Sequence, residues 1–194
     1  IDNEFQNGIF VVEKNTTVLG GAGDDVIGLG GIDTGTEMTN GNLTVNGEDG
    51  DDVIGGFGLN ITGNLVVNGG KGNDLIGAEG SEDYPFTVDG TTAIDGGEGD
   101  DTVLVDSVTL NGNISVLLQA GNDNLAAVNL TIGEDVSSVV LNGGAGTNLK
   151  DTDELTGATV TNFSVNPYAN AEADGELLSD ILFDCIEHFD ILDI

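Results

Sequence analysis

The sequence predicts an all-β chain built as a β-solenoid, a single column of about six coils with three short strands each, capped at both ends. Three observations carry that expectation. A turn of the form Gly-Gly-x-Gly-x-Asp recurs and each time leads into an aliphatic segment, complete at Gly20-Gly21-Ala22-Gly23-Asp24-Asp25-Val26-Ile27, Gly69-Gly70-Lys71-Gly72-Asn73-Asp74-Leu75-Ile76 and Gly96-Gly97-Glu98-Gly99-Asp100-Asp101-Thr102-Val103. Weaker copies fill the intervals at Gly47 to Ile54, Gln119 to Leu125 and Gly143 to Leu149. Apolar residues precede the copies at solenoid spacing, and the acidic residues gather in the turns between short Val, Ile and Leu segments.

Taken along the chain, residues 1–15 read as an N-terminal cap, in which Ile9-Phe10-Val11-Val12 covers one open end of the column. The solenoid is expected to extend to residue 170. The residue before each turn falls at Val18, Val45, Val67, Ile94, Val116 and Leu141, in steps of 27, 22, 27, 22 and 25 residues. Two positions earlier stand Thr16, Leu43, Leu65, Thr92, Ile114 and Val139, the period-2 spacing of a strand with one face buried. After the turn, a second strand is anchored by Ile27, Ile54, Ile76, Val103 and Leu125. A third alternates apolar and polar residues at Leu59-Asn60-Ile61-Thr62, Phe86-Thr87-Val88, Val108-Thr109-Leu110 and Leu130-Thr131-Ile132, and Gly-Asn at 63–64 and 112–113 turns it back.

Two loops, Gly31 to Thr36 and Ser81 to Pro85, take up the extra residues of the 27-residue steps, and Pro85 belongs in a loop because it cannot donate to a ladder. Residues 171–194 read as the C-terminal cap: Leu178, Leu182, Cys185, Ile186 and Phe189 have near-helical spacing, although Ile186 to Leu192 would also serve as a closing strand. The start at Ile1, with neither an initiator Met nor a basic leader, reads as that of a processed chain or a piece of a longer one.

Charge narrows the function. With 35 acidic residues against 3 Lys and no Arg, the net charge is -32, which argues against nucleic acid and anionic membrane surfaces and favours cations. No apolar run is long enough to insert in a bilayer, and Cys185, the only cysteine, has no internal disulfide partner.

Stacked in register, Asp25, Asp52, Asp74, Asp101 and Asp123 form a row of carboxylates down one edge. Unit charges ~4.8 Å apart repel by about 3.5 kcal/mol at an effective dielectric near 20, and each interior member has two such neighbours. A divalent cation between rungs reverses the sign, and calcium suits carboxylates combined with backbone carbonyls. About four Ca2+ ions are expected, between successive members of the row. The glycines Gly21, Gly23, Gly50, Gly70, Gly72, Gly97, Gly99 and Gly121 are expected to bend the turn and aim its carbonyls, with Asp24, Asp51 and Asp100 of the preceding row as turn formers or outer ligands. Gly47 to Asp52 reads as carrying an extra residue, Gln119-Ala120 as replacing the glycine pair, and Asn148 as the weak end of the row.

Gly20 to Gly28, Gly69 to Gly77 and Gly96 to Leu104 resemble the calcium-binding nonapeptide of the repeats-in-toxin (RTX) proteins. The resemblance implies secretion and calcium-dependent folding. In that family the nonapeptides follow one another directly, whereas here two further strands separate them, so the chain resembles a right-handed parallel β-helix with such turns at one corner. The C-terminal Phe189-Asp190-Ile191-Leu192-Asp193-Ile194 also resembles the secretion signal of many RTX proteins, with a hydrophobic cap as the alternative.

The expected function is therefore that of a non-enzymatic, secreted or cell-surface, calcium-stabilised solenoid with a structural, adhesive or surface-assembly role, its partners calcium and either further copies of itself or surface and matrix glycans. The alternatives are a polysaccharide-acting enzyme using paired carboxylates, and an ice- or surface-binding solenoid. Neighbouring carboxylates on a strand point opposite ways, which weakens the first, and the outward row Thr17, Thr44, Val66, Ala93, Ser115, Val140 is too mixed for the second. Cys185 and His188, three apart in the cap, read as packing residues, and the sequons at Asn15, Asn42, Asn60, Asn113, Asn129 and Asn162 follow mostly from the repeat.

Overall fold

The computed structural model describes residues 4–6, 9–12, 14–30, 37–39, 41–128, 130–133, 136–142 and 163–165. The loop at 31–36, the turn copy at 143–149 and the C-terminal cap at 171–194 lie outside the described residues. The described residues are all β, without a helix.

A hairpin of β1 (Glu4–Gln6) and β2 (Ile9–Val12), paired antiparallel, opens the chain. Five three-strand coils follow. They are β3 (Thr16–Ala22), β4 (Val26–Leu29) and β5 (Glu37–Thr39); β6 (Leu43–Asp49), β7 (Val53–Phe57) and β8 (Leu59–Ile61); β9 (Leu65–Lys71), β10 (Leu75–Glu79) and β11 (Phe86–Val88); β12 (Thr92–Glu98), β13 (Thr102–Asp106) and β14 (Val108–Leu110); β15 (Ile114–Ala120), β16 (Asn124–Val128) and β17 (Thr131–Ile132). Two more strands, β18 (Val139–Asn142) and β19 (Phe163–Val165), extend the sheet formed by the first strand of each coil.

Corresponding strands of successive coils pair in parallel, giving three sheets in the orders β1-β2-β5-β8-β11-β14-β17, β16-β13-β10-β7-β4 and β19-β18-β15-β12-β9-β6-β3. From β3 to β15 the chain makes about four full turns; the described residues hold five three-strand coils, one fewer than the six expected, with β18 alone representing the sixth.

The register agrees with the repeat. Val18, Val45, Val67, Ile94, Val116 and Leu141 stand over one another, as do Ile27, Ile54, Ile76, Val103 and Leu125. Alternation along the strands from β3 to β16 sends these anchors inward, and Val45, Ile61, Val88, Val103 and Leu118 are fully buried in one continuous core. The loop at 81–85 carries the additional residues of its coil as expected: the Ser81 hydroxyl accepts from the Tyr84 N–H, and the Tyr84 ring packs at 5.9 Å from Phe57.

The first strand departs from expectation by running into the turn. In each coil the first three motif positions belong to the strand, as in β9 through Lys71, and the chain bends only at the following three. Gly70 reconciles extension with curvature by adopting φ 119° there, as Gly21 and Gly97 do with φ 114° and 111°.

Candidate metal centre

The corner between the first and second strands stacks five copies of the six-residue turn. Pairing of Gly21 with Glu48 and of Gly97 with Gln119 corrects two details of the sequence alignment. Gly47 to Asp52 contains no extra residue: Glu48 stands at the second glycine position with φ 84°. Likewise Leu118-Gln119, not Gln119-Ala120, replace the glycine pair, with Gln119 at φ 68°. Both side chains adopt a backbone region that favours glycine, and the stacked neighbours hold them there.

The five aspartates at motif position six occupy one row, as expected, and their side chains point into the column. Asp52, Asp74, Asp101 and Asp123 are only 1–2% exposed. One carboxylate oxygen of each later member bonds to the preceding rung: the Asp25 N–H donates to Asp52 Oδ1 at 2.8 Å, Asp52 N–H to Asp74 Oδ1 at 2.8 Å, Asp74 N–H to Asp101 Oδ1 at 2.8 Å and Asp101 N–H to Asp123 Oδ1 at 2.9 Å. The other oxygen, Oδ2, is buried without a hydrogen-bond partner in all five. A buried acceptor left unpaired costs about 1–3 kcal/mol, and more when charged, so this row is under electrostatic stress.

Titration reflects it. Burial pushes the Asp101 carboxyl up to about 7; the Asp74 N–H counteracts this, and the charges of Asp74, Asp123 and Asp100 add to it. Burial also raises Asp74 and Asp123 above the ordinary carboxylate range, against the opposing hydrogen bonds from Asp52 and Asp101.

The first glycine of each turn explains where the free oxygens lie. At Gly20 the position of a side chain is bordered by Asp25 Oδ2 and the Gly47 carbonyl oxygen; at Gly47 by Asp52 Oδ2 and the Gly69 carbonyl; at Gly69 by Asp74 Oδ2 and the Gly96 carbonyl. Gly96 repeats this with Asp101 Oδ2 and the Leu118 carbonyl. Four spots thus bring together a carboxylate oxygen of one rung and a carbonyl oxygen of the next. In the fifth turn, buried Leu118 takes the place of that glycine.

The remaining sequence-predicted residues take other roles. Gly23, Gly50, Gly72, Gly99 and Gly121 all have positive φ, between 105° and 156°, and shape the bend. The carbonyls of Gly70, Gly72 and Gly99 press on Gly97, Gly99 and Gly121 of the following rung, where a side chain would collide. The position-five row is exposed and bonds in the opposite direction. Asp24 Oδ1 accepts from the Asp51 N–H at 3.0 Å, Asp51 from Asn73 at 2.7 Å, Asn73 from Asp100 at 2.8 Å and Asp100 from Asn122 at 2.8 Å.

A third ladder, at the corner entering the first strand, escaped the sequence reading. Asn15 Oδ1 accepts from the Asn42 N–H, Asn42 from Asn64, and Asn64 from Thr91, at 2.8–3.0 Å. Asn113 continues it with the N–H groups of Ser137 and Ser138. The signal was present: an Asn stands three residues before the strand anchors Val18, Val45, Val67 and Val116.

As a donor set the aspartate corner is oxygen only, which suits a hard cation such as calcium and excludes the nitrogen and sulfur ligands of zinc or copper. Among the described residues, no three His, Cys, Asp or Glu side chains converge on one point, so carbonyls and water would have to complete an ion's shell. The orphaned Oδ2 atoms and adjoining carbonyls fit that mixture. No protein family, curated protein or solved structure matches the chain.

Proposed function

We propose that the chain is a non-enzymatic, calcium-stabilised β-solenoid, acting outside the cell as a structural or adhesive module. One contrast carries this reading. Motif positions five and six accept the same kind of main-chain hydrogen bond, yet position five alternates as Asp24, Asp51, Asn73, Asp100 and Asn122, while position six is aspartate at all five rungs. An asparagine makes that bond equally well and carries no charge into a buried site. If the bond were the whole purpose, the buried row would be the one rich in asparagine. Instead both asparagines, Asn73 and Asn122, fall in the exposed row, which supports a use for the second oxygen of each buried carboxylate.

Calcium would supply the positive charge that this row lacks. Asp25, Asp52, Asp74, Asp101 and Asp123 would hold it through Oδ2, with the carbonyls of Gly47, Gly69, Gly96 and Leu118 beside them. The Oδ1 bonds fix the carboxylate planes in the folded state alone, so the unfolded chain presents no comparable site and ion binding is coupled to folding. Each site filled at a hundredfold excess over its Kd adds about 2.7 kcal/mol to stability. Weak sites of this kind are filled at the millimolar calcium of extracellular fluids rather than in the cytosol, which, with the RTX-like motif, favours an exported protein.

The test is a pair of thermal melts, in millimolar calcium and in chelator. A strong rise of Tm with calcium is expected, and superimposable melts would overturn the reading.

A further inference from the structure

The outward face of the second sheet contains three glycines in register that folding does not explain. Gly28, Gly55 and Gly77 stack on β4, β7 and β10. A side chain added at any of them would meet nothing within 4 Å, and none has positive φ. A strand-interior glycine costs about 0.5–1 kcal/mol relative to alanine and often marks close approach by a ligand or another backbone.

The column is the floor of a shallow trench along the solenoid axis. Val26, Val53 and Leu75 form one wall, exposed by 82%, 41% and 38%. Across the floor stands the Phe57–Tyr84 ring pair, and exposed Leu104, in register with Gly77, closes one end. Acidic groups lie on both banks: exposed Asp24 and Asp51 precede β4 and β7, with Asn73 at the third rung, and exposed Glu79, Glu82 and Asp83 lie at and beyond the far end of β10.

From this shape and charge we propose that the trench docks a cationic amphipathic helix of a partner protein, its apolar stripe on the glycine floor and Lys or Arg on both flanks against the acidic banks. The dimensions agree. Val53 and Phe57, four residues apart on one strand, span about 13 Å, and a helix with its side chains is about 10–12 Å across. Side chains at i, i+3/i+4 and i+7 advance about 4.5–6 Å per step, against a glycine every ~4.8 Å along the trench. A second copy of this chain would instead bring like charge against both banks. Neither floor nor walls use the buried aspartate row; of the bank residues, Asp24 and Asp51 belong to the exposed row beside it.

The probe is a synthetic helical peptide with leucines at i, i+3/i+4 and i+7 flanked by lysines, titrated by fluorescence anisotropy against the full chain in millimolar calcium. Binding is expected to weaken at least tenfold with Gly55→Val, at unchanged Tm, because the open strand position accepts the side chain while the trench loses its floor. Should that variant unfold, the same loss is expected on the unaltered protein when the peptide leucines are replaced by serine or its lysines by glutamate. Equal binding of the leucine and serine peptides, or of the lysine and glutamate peptides, would overturn the proposal. So would retained binding by folded Gly55→Val, or a dimer in sedimentation that the variant abolishes, which would assign the trench to a second copy.

Discussion

Asp74→Asn should change sign with calcium. Asp74 is 2% exposed, accepts the Asp52 N–H through Oδ1 and has its unpaired Oδ2 beside Gly69 and the Gly96 carbonyl oxygen. The amide retains the Oδ1 acceptor, as Asn73 does at position five, and sets an N–H donor where two acceptors met. Without calcium it also removes repulsion from Asp52 and Asp101, bounded at about 3.5 kcal/mol per ionised neighbour at an effective dielectric near 20. Protons held by the raised carboxyls reduce the relief, so a net gain of about 1–3 kcal/mol is expected in chelator at neutral pH. If calcium fills the row as proposed, between successive aspartates, the substitution would weaken the two sites sharing Asp74, each contributing about 2.7 kcal/mol at a hundredfold excess, for a loss of up to about 5 kcal/mol. At roughly 2–4 °C per kcal/mol for a chain of this size, paired melts resolve both shifts. A substitution effect of the same sign and size in both buffers would refute the argument and leave the aspartates as main-chain caps.

The chelated protein should become less stable as pH rises. Asp101 titrates at about 7 in the folded chain against an ordinary value of 3.8, so the unfolded chain releases its proton first and stability declines between about pH 4 and 7. Tm in chelator at pH 5, 6, 7 and 8 should fall in that order, and a rise would contradict the assignment. Two glycines should behave oppositely: Gly47→Ala puts a methyl group against Asp52 Oδ2 and the Gly69 carbonyl and should cost about 1–3 kcal/mol, whereas Gly55→Ala enters open space and should be neutral or stabilising by up to ~1 kcal/mol. Urea unfolding of both checks this. Asn64→Ala removes the acceptor for the Thr91 N–H and should cost about 0.5–1.5 kcal/mol equally with and without calcium, which separates the asparagine ladder from the aspartate row in the same assay.

The coil register was legible because the core repeats its chemistry: every anchor from Val18 to Leu141 is a branched aliphatic at a fixed offset from a glycine-rich turn. The aspartate row was legible for the same reason. The direction of its side chains was not, since a carboxylate in a turn is ordinarily solvated, and only the stacked geometry shows Gly20, Gly47, Gly69 and Gly96 making room for an inward Oδ2. The glycines expected to shape the turn were those at motif positions two and four, such as Gly70 and Gly72, and the first glycine carried no separate expectation. Asparagine at the third corner was hidden by Thr91 and Ser138 in two of its rungs and by its coincidence with sequons. The supposed extra residue before Asp52 arose because Glu48 occupies a glycine position, which propensity alone does not anticipate and stacking enforces.

Coil length and corner geometry are decoupled in this column, and that decides how its parts communicate. The hydrogen bonds of the aspartate row span 27, 22, 27 and 22 residues of sequence at 2.8–2.9 Å each, so a five-residue loop on the far side leaves the corner unchanged. Loops such as 81–85 are therefore free to vary beside the trench while the corner sets the rise from rung to rung. Since each rung contacts only its neighbours, stability is a sum of coil and interface contributions, and a cation shared by two rungs acts on the interface. Charge on the row works the other way, separating the rungs that the core holds together. On the proposed calcium reading, the same five carboxylates would make rung-to-rung coupling weak in chelator and strong in calcium, which would place calcium control at the junctions between coils rather than within any one of them.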